Sequence, residues 1–178
     1  MFGVADVVAR VSDAAFGRPL VTNVLRGHVV EAIVALALEP EWRWCAADYA
    51  SWDFEHDAGV RLEVRQSALR QSWVQSSTSV SRPAFDIRAR TGRTEAGQWI
   101  AEPGRAANLY LFCYHDRTDD DADHRDPRQW SFFIVPAASL PDAGTIGLAS
   151  LRRYAAGVPI TALRAAMNDA VNALTSAG

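Results

Sequence analysis

Apolar residues recur at helical spacing over residues 4–16, and the run stops at Gly17 with Pro19 just beyond, which predicts a first helix. A second helix is expected from Thr22 or Asn23, either of which can cap it, to about Leu38, where Glu39-Pro40 ends it. Its apolar positions go almost all the way round, a pattern that predicts burial on most sides. After Pro40 the period changes. Residues 42–46 read as an entering strand. Trp52-Asp53-Phe54 leads into the turn signal Asp57-Ala58-Gly59, and residues 60–65 then alternate. Val60, Leu62 and Val64 share one face there, with Arg61, Glu63 and Arg65 on the other, so the two segments predict a hairpin.

Residues 72–81 are rich in serine and predict a loop, followed by a short strand at Phe85-Asp86-Ile87. Residues 108–114 and 130–135 are aliphatic or aromatic on both faces, as strands in the centre of a covered sheet are. The aspartate-rich segment between them predicts an exposed loop. A short helix is expected over residues 148–154 and a last one over 159–174, with Leu163, Ala166, Met167, Val171 and Leu174 on one face. Helices over residues 3–38, a sheet region over about 42–137 and helices over about 147–175 predict one α+β domain across residues 1–178, a central mixed sheet flanked by helices.

Composition adds constraints. The 178 residues are 49% apolar, enough for one substantial core. No apolar run is long enough for a bilayer, and the first residues lack the basic and apolar regions of a secretory signal. Cys45 and Cys113 lie in strand-like apolar surroundings and read as small buried thiols, which predicts a reducing, cytoplasmic compartment. Every basic residue is arginine; the chain has no lysine. The net charge is -3, so nothing global announces nucleic acid. Locally, residues 61–93 hold seven arginines against Glu63 and Asp86, either a solvated surface or a set of phosphate contacts. Trp73 and Trp99, near this stretch, are expected in the core, with base stacking as the alternative.

Candidate chemistry centres on Asp53 and, ten positions on, Glu63-Val64-Arg65-Gln66. A strand puts Glu63 and Arg65 on one face roughly 7 Å apart, and the turn can bring both carboxylates to one point. Paired carboxylates suit a hard divalent cation that keeps waters and phosphate oxygens as further ligands. An acidic residue, a turn and a strand reading Glu-x-Lys is the motif of the PD-(D/E)XK nuclease superfamily, which this chain resembles from the second helix to the second strong strand. The helix with Glu31 precedes the hairpin as that family's first core helix does. Ser67-Ala68 and Gln71-Ser72-Trp73 follow as in uncharacterised bacterial proteins with this core.

The resemblance implies a restriction endonuclease-like core and hydrolysis of DNA phosphodiester bonds. It implies Mg2+, with Mn2+ as substitute, held by Asp53 and Glu63 with Glu31 as a further carboxylate. Arg65 would stand in the lysine's place and Gln66 would position water or phosphate. Nucleic acid, DNA by the resemblance, is then the partner, with no membrane role and a homodimer left open. Trp52 replaces the motif's proline, and Arg65 keeps the charge of lysine without its ability to release a proton. A catalytically inactive module that binds nucleic acid or a protein, and an unrelated α+β domain with an accidental motif, are the alternative readings. Glu31 and His28, one helical turn apart, read otherwise as a buried hydrogen-bonded acid and a polar helix edge.

Overall fold

The computed structural model describes residues 2–45, 50–73, 81–95 and 97–176. Two helices come first, α1 (Val4–Phe16) and α2 (Asn23–Leu38). Then follow β1 (Trp42–Trp44), β2 (Phe54–His56) and β3 (Arg61–Ala68). The short strands β4 (Ala84–Asp86), β5 (Arg93–Glu95) and β6 (Gln98–Ile100) lead to the long strands β7 (Leu109–His115) and β8 (Trp130–Pro136). Strand β9 (Thr145–Gly147), a single helical turn α3 (Leu148–Leu151) and α4 (Ile160–Ser176) complete the described chain.

The main sheet is five-stranded and mixed, in the order β1-β2-β3-β7-β8. β2 and β3 form the expected antiparallel hairpin, turned by Gly59 at φ +78°, a conformation that a side chain would strain. β3 and β7 run parallel, from Leu62 opposite Leu109 to Ala68 opposite His115, and β8 returns antiparallel to β7. Every residue of β7 is buried because alternate side chains enter two different cores. Leu109, Leu111 and Cys113 pack with Val30, Val34 and Leu38 of α2 and with Leu163, Met167 and Val171 of α4. Tyr110, Phe112 and Tyr114 meet Phe85, Ile146 and Leu151 on the other side. Burial of each of these large side chains contributes about 1.5–3 kcal/mol.

Several expectations change. Strand β8 is not central: it is an edge, and its outer side is covered by one two-way bridge between Phe132 and Val158, with both N···O distances 2.9 Å. That bridge accounts for an apolar edge strand, since a bare one would invite pairing with another chain. Helix α2 buries one side only; Leu36 on its far side is 84% exposed. The aspartate-rich segment is not a plain solvated loop. It carries Ala122 and His124 into the interior, and its acids pair with Arg70, Arg117, Arg125 and Arg128. The serine-rich segment lies mostly outside the described residues, as does Ala46 at the end of the first expected strand. The strand expected at Phe85-Asp86-Ile87 is β4, shifted by one residue, while its partner β9 and the β5–β6 hairpin had no clear signal in the sequence. Among the described residues, no helix is long and apolar enough to cross a membrane.

Candidate active site

The site begins where β2 leaves β3. Phe54 lies opposite Leu62 and Glu55 opposite Arg61, so Asp53, one step before β2, falls beside Glu63. The Asp53 N–H still donates to Leu62 O at 2.9 Å. Beyond that point side chains take over the ladder. Asp53 Oδ2 accepts from the Val64 N–H at 2.6 Å, and the Arg65 guanidinium donates to Val64 O at 3.1 Å. The edge of β3 exposed by the diverging strand is thereby satisfied at both polar atoms, as a half-buried backbone requires.

Alternation puts Glu63 and Arg65 on the same face as Tyr110 and Phe112, their partners on β7. Arg65 forms an ion pair with Glu63 Oε1 and also donates from Nε to Asp86 O at 3.3 Å. Asp53, Glu63 and Arg65 line a pocket of about 240 Å³ together with Arg90, Arg105 and Tyr110. Trp52, in the place of the motif's proline, is buried there, and the Arg61 guanidinium stacks 3.9 Å from its ring centre. Arg105 donates to two backbone carbonyls, Ile87 O and Pro141 O, and brings a positive charge to the pocket wall. Sequence reading missed Arg105 and Tyr110; position in the fold, not local pattern, brings them here.

Glu31 and Gln66 are not in this pocket. A step of one residue along a strand reverses the face, so Gln66 turns from Arg65's side toward α2, where it accepts from Arg26 at 2.6 Å. Glu31 accepts from Trp44 Nε1 at 3.2 Å and lies 3.7 Å from His28 Nδ1. Both line a second cleft of about 510 Å³, to which Arg65 also belongs. Glu31 still acts on Asp53 through its charge. The basic stretch is largely neutralised. Arg61 and Arg93 pair with Glu95, Arg70 with Asp120 and Arg90 with Asp86. Trp73 and Trp99, expected inside, are 65% and 61% exposed.

Burial pushes the Asp53 carboxyl up to about 6; the Val64 N–H and Arg65 oppose the rise, and Glu31 adds to it. Burial and then the Asp53 charge push Glu63 up to about 7 against the pull of Arg65. Both groups therefore resist carrying a negative charge, and a cation between them relieves that. The donors are hard oxygens, and among the described residues neither Asp53 Oδ1 nor Glu63 Oε2 has a hydrogen-bond partner. This suits a divalent ion held by two carboxylates and completed by water and phosphate. Among the described residues no group of three or more His, Cys, Asp or Glu is placed to hold a metal, so Glu31 is not a ready third ligand.

No family model and no curated protein matches this chain.

The shifted acids have a thermodynamic consequence. A carboxyl whose folded pKa lies above its unfolded value stabilises the fold below the unfolded pKa, near 4.5 for Glu63, and loses that contribution as pH rises through about 7. Glu63→Gln keeps an acceptor for Arg65 without the charge. It should raise the melting temperature by a few degrees, roughly 2–4 °C per kcal/mol at this size, at pH 8 and leave it nearly unchanged at pH 4.5. An equal rise at both pH values would show that charge at position 63 is not what the fold resists. His124 has the opposite sign. Burial and the nearby Arg26 charge hold it down to about 4, so its contribution is complete above pH 6.5 and is lost as pH falls toward 4.

Proposed function

We propose that the protein is a metal-dependent nuclease that hydrolyses DNA phosphodiester bonds on a restriction endonuclease-like core of the PD-(D/E)XK type. The observation that carries this reading is the convergence of Asp53 and Glu63 in one pocket with Arg65, both acids desolvated and each with one oxygen that no described residue hydrogen-bonds. A helix carrying Glu31, then a hairpin, then further strands of a mixed sheet support this reading.

In this reading Asp53 and Glu63 hold Mg2+, or Mn2+ in its place. Such an ion supplies Lewis acidity toward phosphate oxygens and lowers the pKa of a bound water. Val64 N–H fixes the Asp53 carboxylate, so the ligand is oriented before any ion arrives. Arg65 can move from Glu63 to a phosphate oxygen and stabilise the charge that develops there. The positive charge that Arg105 brings to the wall favours the strand's phosphates. The free thiols of Cys45 and Cys113 fit a reducing compartment such as the cytoplasm.

The Arg65–Glu63 ion pair favours one second reading, an inactive nuclease-type module that binds nucleic acid or a protein, because the arginine occupies one of the two ligands. Incubation of supercoiled and linear DNA with the purified protein tests the first reading. Cleavage should appear with Mn2+ or Mg2+ and stop with chelator, and absence of cleavage with any divalent ion would overturn it.

A further inference from the structure

Arg26, on α2, is 2% exposed, and its guanidinium meets only neutral oxygens. Nε donates to Gln66 Oε1 at 2.6 Å, NH1 to Gln71 Oε1 at 2.9 Å and NH2 to Asn23 Oδ1 at 2.7 Å. Among the described residues no carboxylate pairs with it. A buried charge normally has a counter-ion, and amide oxygens that orient a guanidinium do not neutralise it. Burial lowers its pKa only to about 10, so the positive charge persists at neutral pH.

The surroundings suit an anion from a second direction. Arg26 lines the 510 Å³ cleft together with Asn23, Val24 and Gly27 of the first turns of α2. Thr22, at the N-cap, makes no side-chain cap hydrogen bond, so among the described residues the first N–H groups of this helix have no side-chain cap. Arg82, exposed on the far wall, adds another cation. Of the two acids in the wall, Glu31 is engaged by Trp44 and Asp86 by Arg90. Trp73 stands at the rim with its ring open to solvent.

We propose that this cleft is a phosphate-binding site, with Arg26 and the start of α2 receiving the phosphate and Trp73 stacking on an attached nucleobase. The cleft borders the Asp53–Glu63 pocket at Arg65, but Arg26, the start of α2 and Trp73 lie outside that pocket, so the proposal holds whether or not the pocket hydrolyses anything. Its ligand is a nucleotide phosphate, either a free mononucleotide or a unit of a single strand.

Calorimetric titration of the whole chain in chloride buffer, with inorganic phosphate, deoxyadenosine, its 5′-monophosphate and a short oligothymidylate, tests this. Phosphate should bind, the nucleoside should not, and the monophosphate should bind about tenfold more tightly than phosphate, the effect of one modest stacking contact. Trp73→Ala should remove that tenfold and leave phosphate binding alone. Arg26→Gln should abolish all binding. Because that variant also disturbs the amide cluster, Gly27→Leu is the decisive second one. A Cβ at Gly27 meets nothing nearer than Glu31 Oε1 at 3.9 Å, and leucine favours the helix, so the fold survives while the cleft fills. An oligothymidylate that binds more tightly than the monophosphate, and with a steeper salt dependence, assigns the phosphate to a strand; equal affinity assigns it to a free nucleotide. No phosphate binding by the parent, or unchanged binding by Gly27→Leu, would overturn the proposal.

Discussion

Asp53→Asn should lower manganese-dependent DNA cleavage by about a hundredfold or more and remove the rise in melting temperature that Mn2+ gives the parent. A ligand that binds only the folded state raises its stability with the logarithm of saturation, so the thermal shift reads ion binding without any turnover. Asparagine is the informative replacement because its side-chain oxygen still accepts from the Val64 N–H. Alanine would leave that donor unpaired at a cost of about 1–3 kcal/mol and would mix a folding defect with a binding defect. An Asp53→Asn protein with the parent's thermal shift holds its ion elsewhere. The acids of residues 116–126 are the natural place to look, although most of them are already paired with arginine.

The second large effect is expected at Arg65. In a working site Arg65→Ala should lose about two orders of magnitude in cleavage, the usual cost of one charge-stabilising donor, and it also frees Glu63 and leaves Val64 O without its side-chain donor. Arg65→Lys separates an active arginine from a disabled one. Lysine reaches either Glu63 or the carbonyl as a single point charge, where the guanidinium reaches both. An active parent should tolerate the exchange within about tenfold, and an inactive parent should gain a trace of cleavage. If neither form cuts DNA with any divalent ion, and neither binds single- or double-stranded DNA, nucleic acid leaves the account and the protein-binding reading moves ahead.

What could be read in the sequence was what local periodicity controls. The first two helices, the turn at Gly59 and the alternation before Arg65 depend on residues a few positions apart, and they occur where the pattern put them. Asp53 and Glu63 were legible as a pair for the same reason, since a short hairpin fixes their approach. Properties set by distant partners were not legible. The cover over the β8 edge comes from Val158, and the burial of Arg26 depends on Gln66 and Gln71, 40 and 45 positions away. The face of Gln66 was open to inference, because alternation alone separates it from Arg65. Hydrophobicity placed Trp73 and Trp99 inside, yet both are largely exposed. The β5–β6 hairpin is three residues on each strand, with no alternation long enough to register.

The parallel pairing of β3 with β7 also sets an order in time. Asn108 N–H donates to Arg61 O, and its side chain accepts from the Arg61 N–H, across 47 positions of chain. A chain emerging from the ribosome can close the β2–β3 hairpin long before β7 exists, and until then one side of β3 has no partner strand. Loop closure of that length precedes any gain from the contacts it makes possible, which slows folding and lengthens the exposure of a sticky edge. The same delay applies to the carboxylates. Asp53 and Glu63 are made early, but the desolvated state that shifts them waits for Tyr110 and Phe112 to close the floor beneath Glu63 and Arg65. The candidate site therefore cannot be complete until β7 has been made, well after the hairpin that carries its two acids.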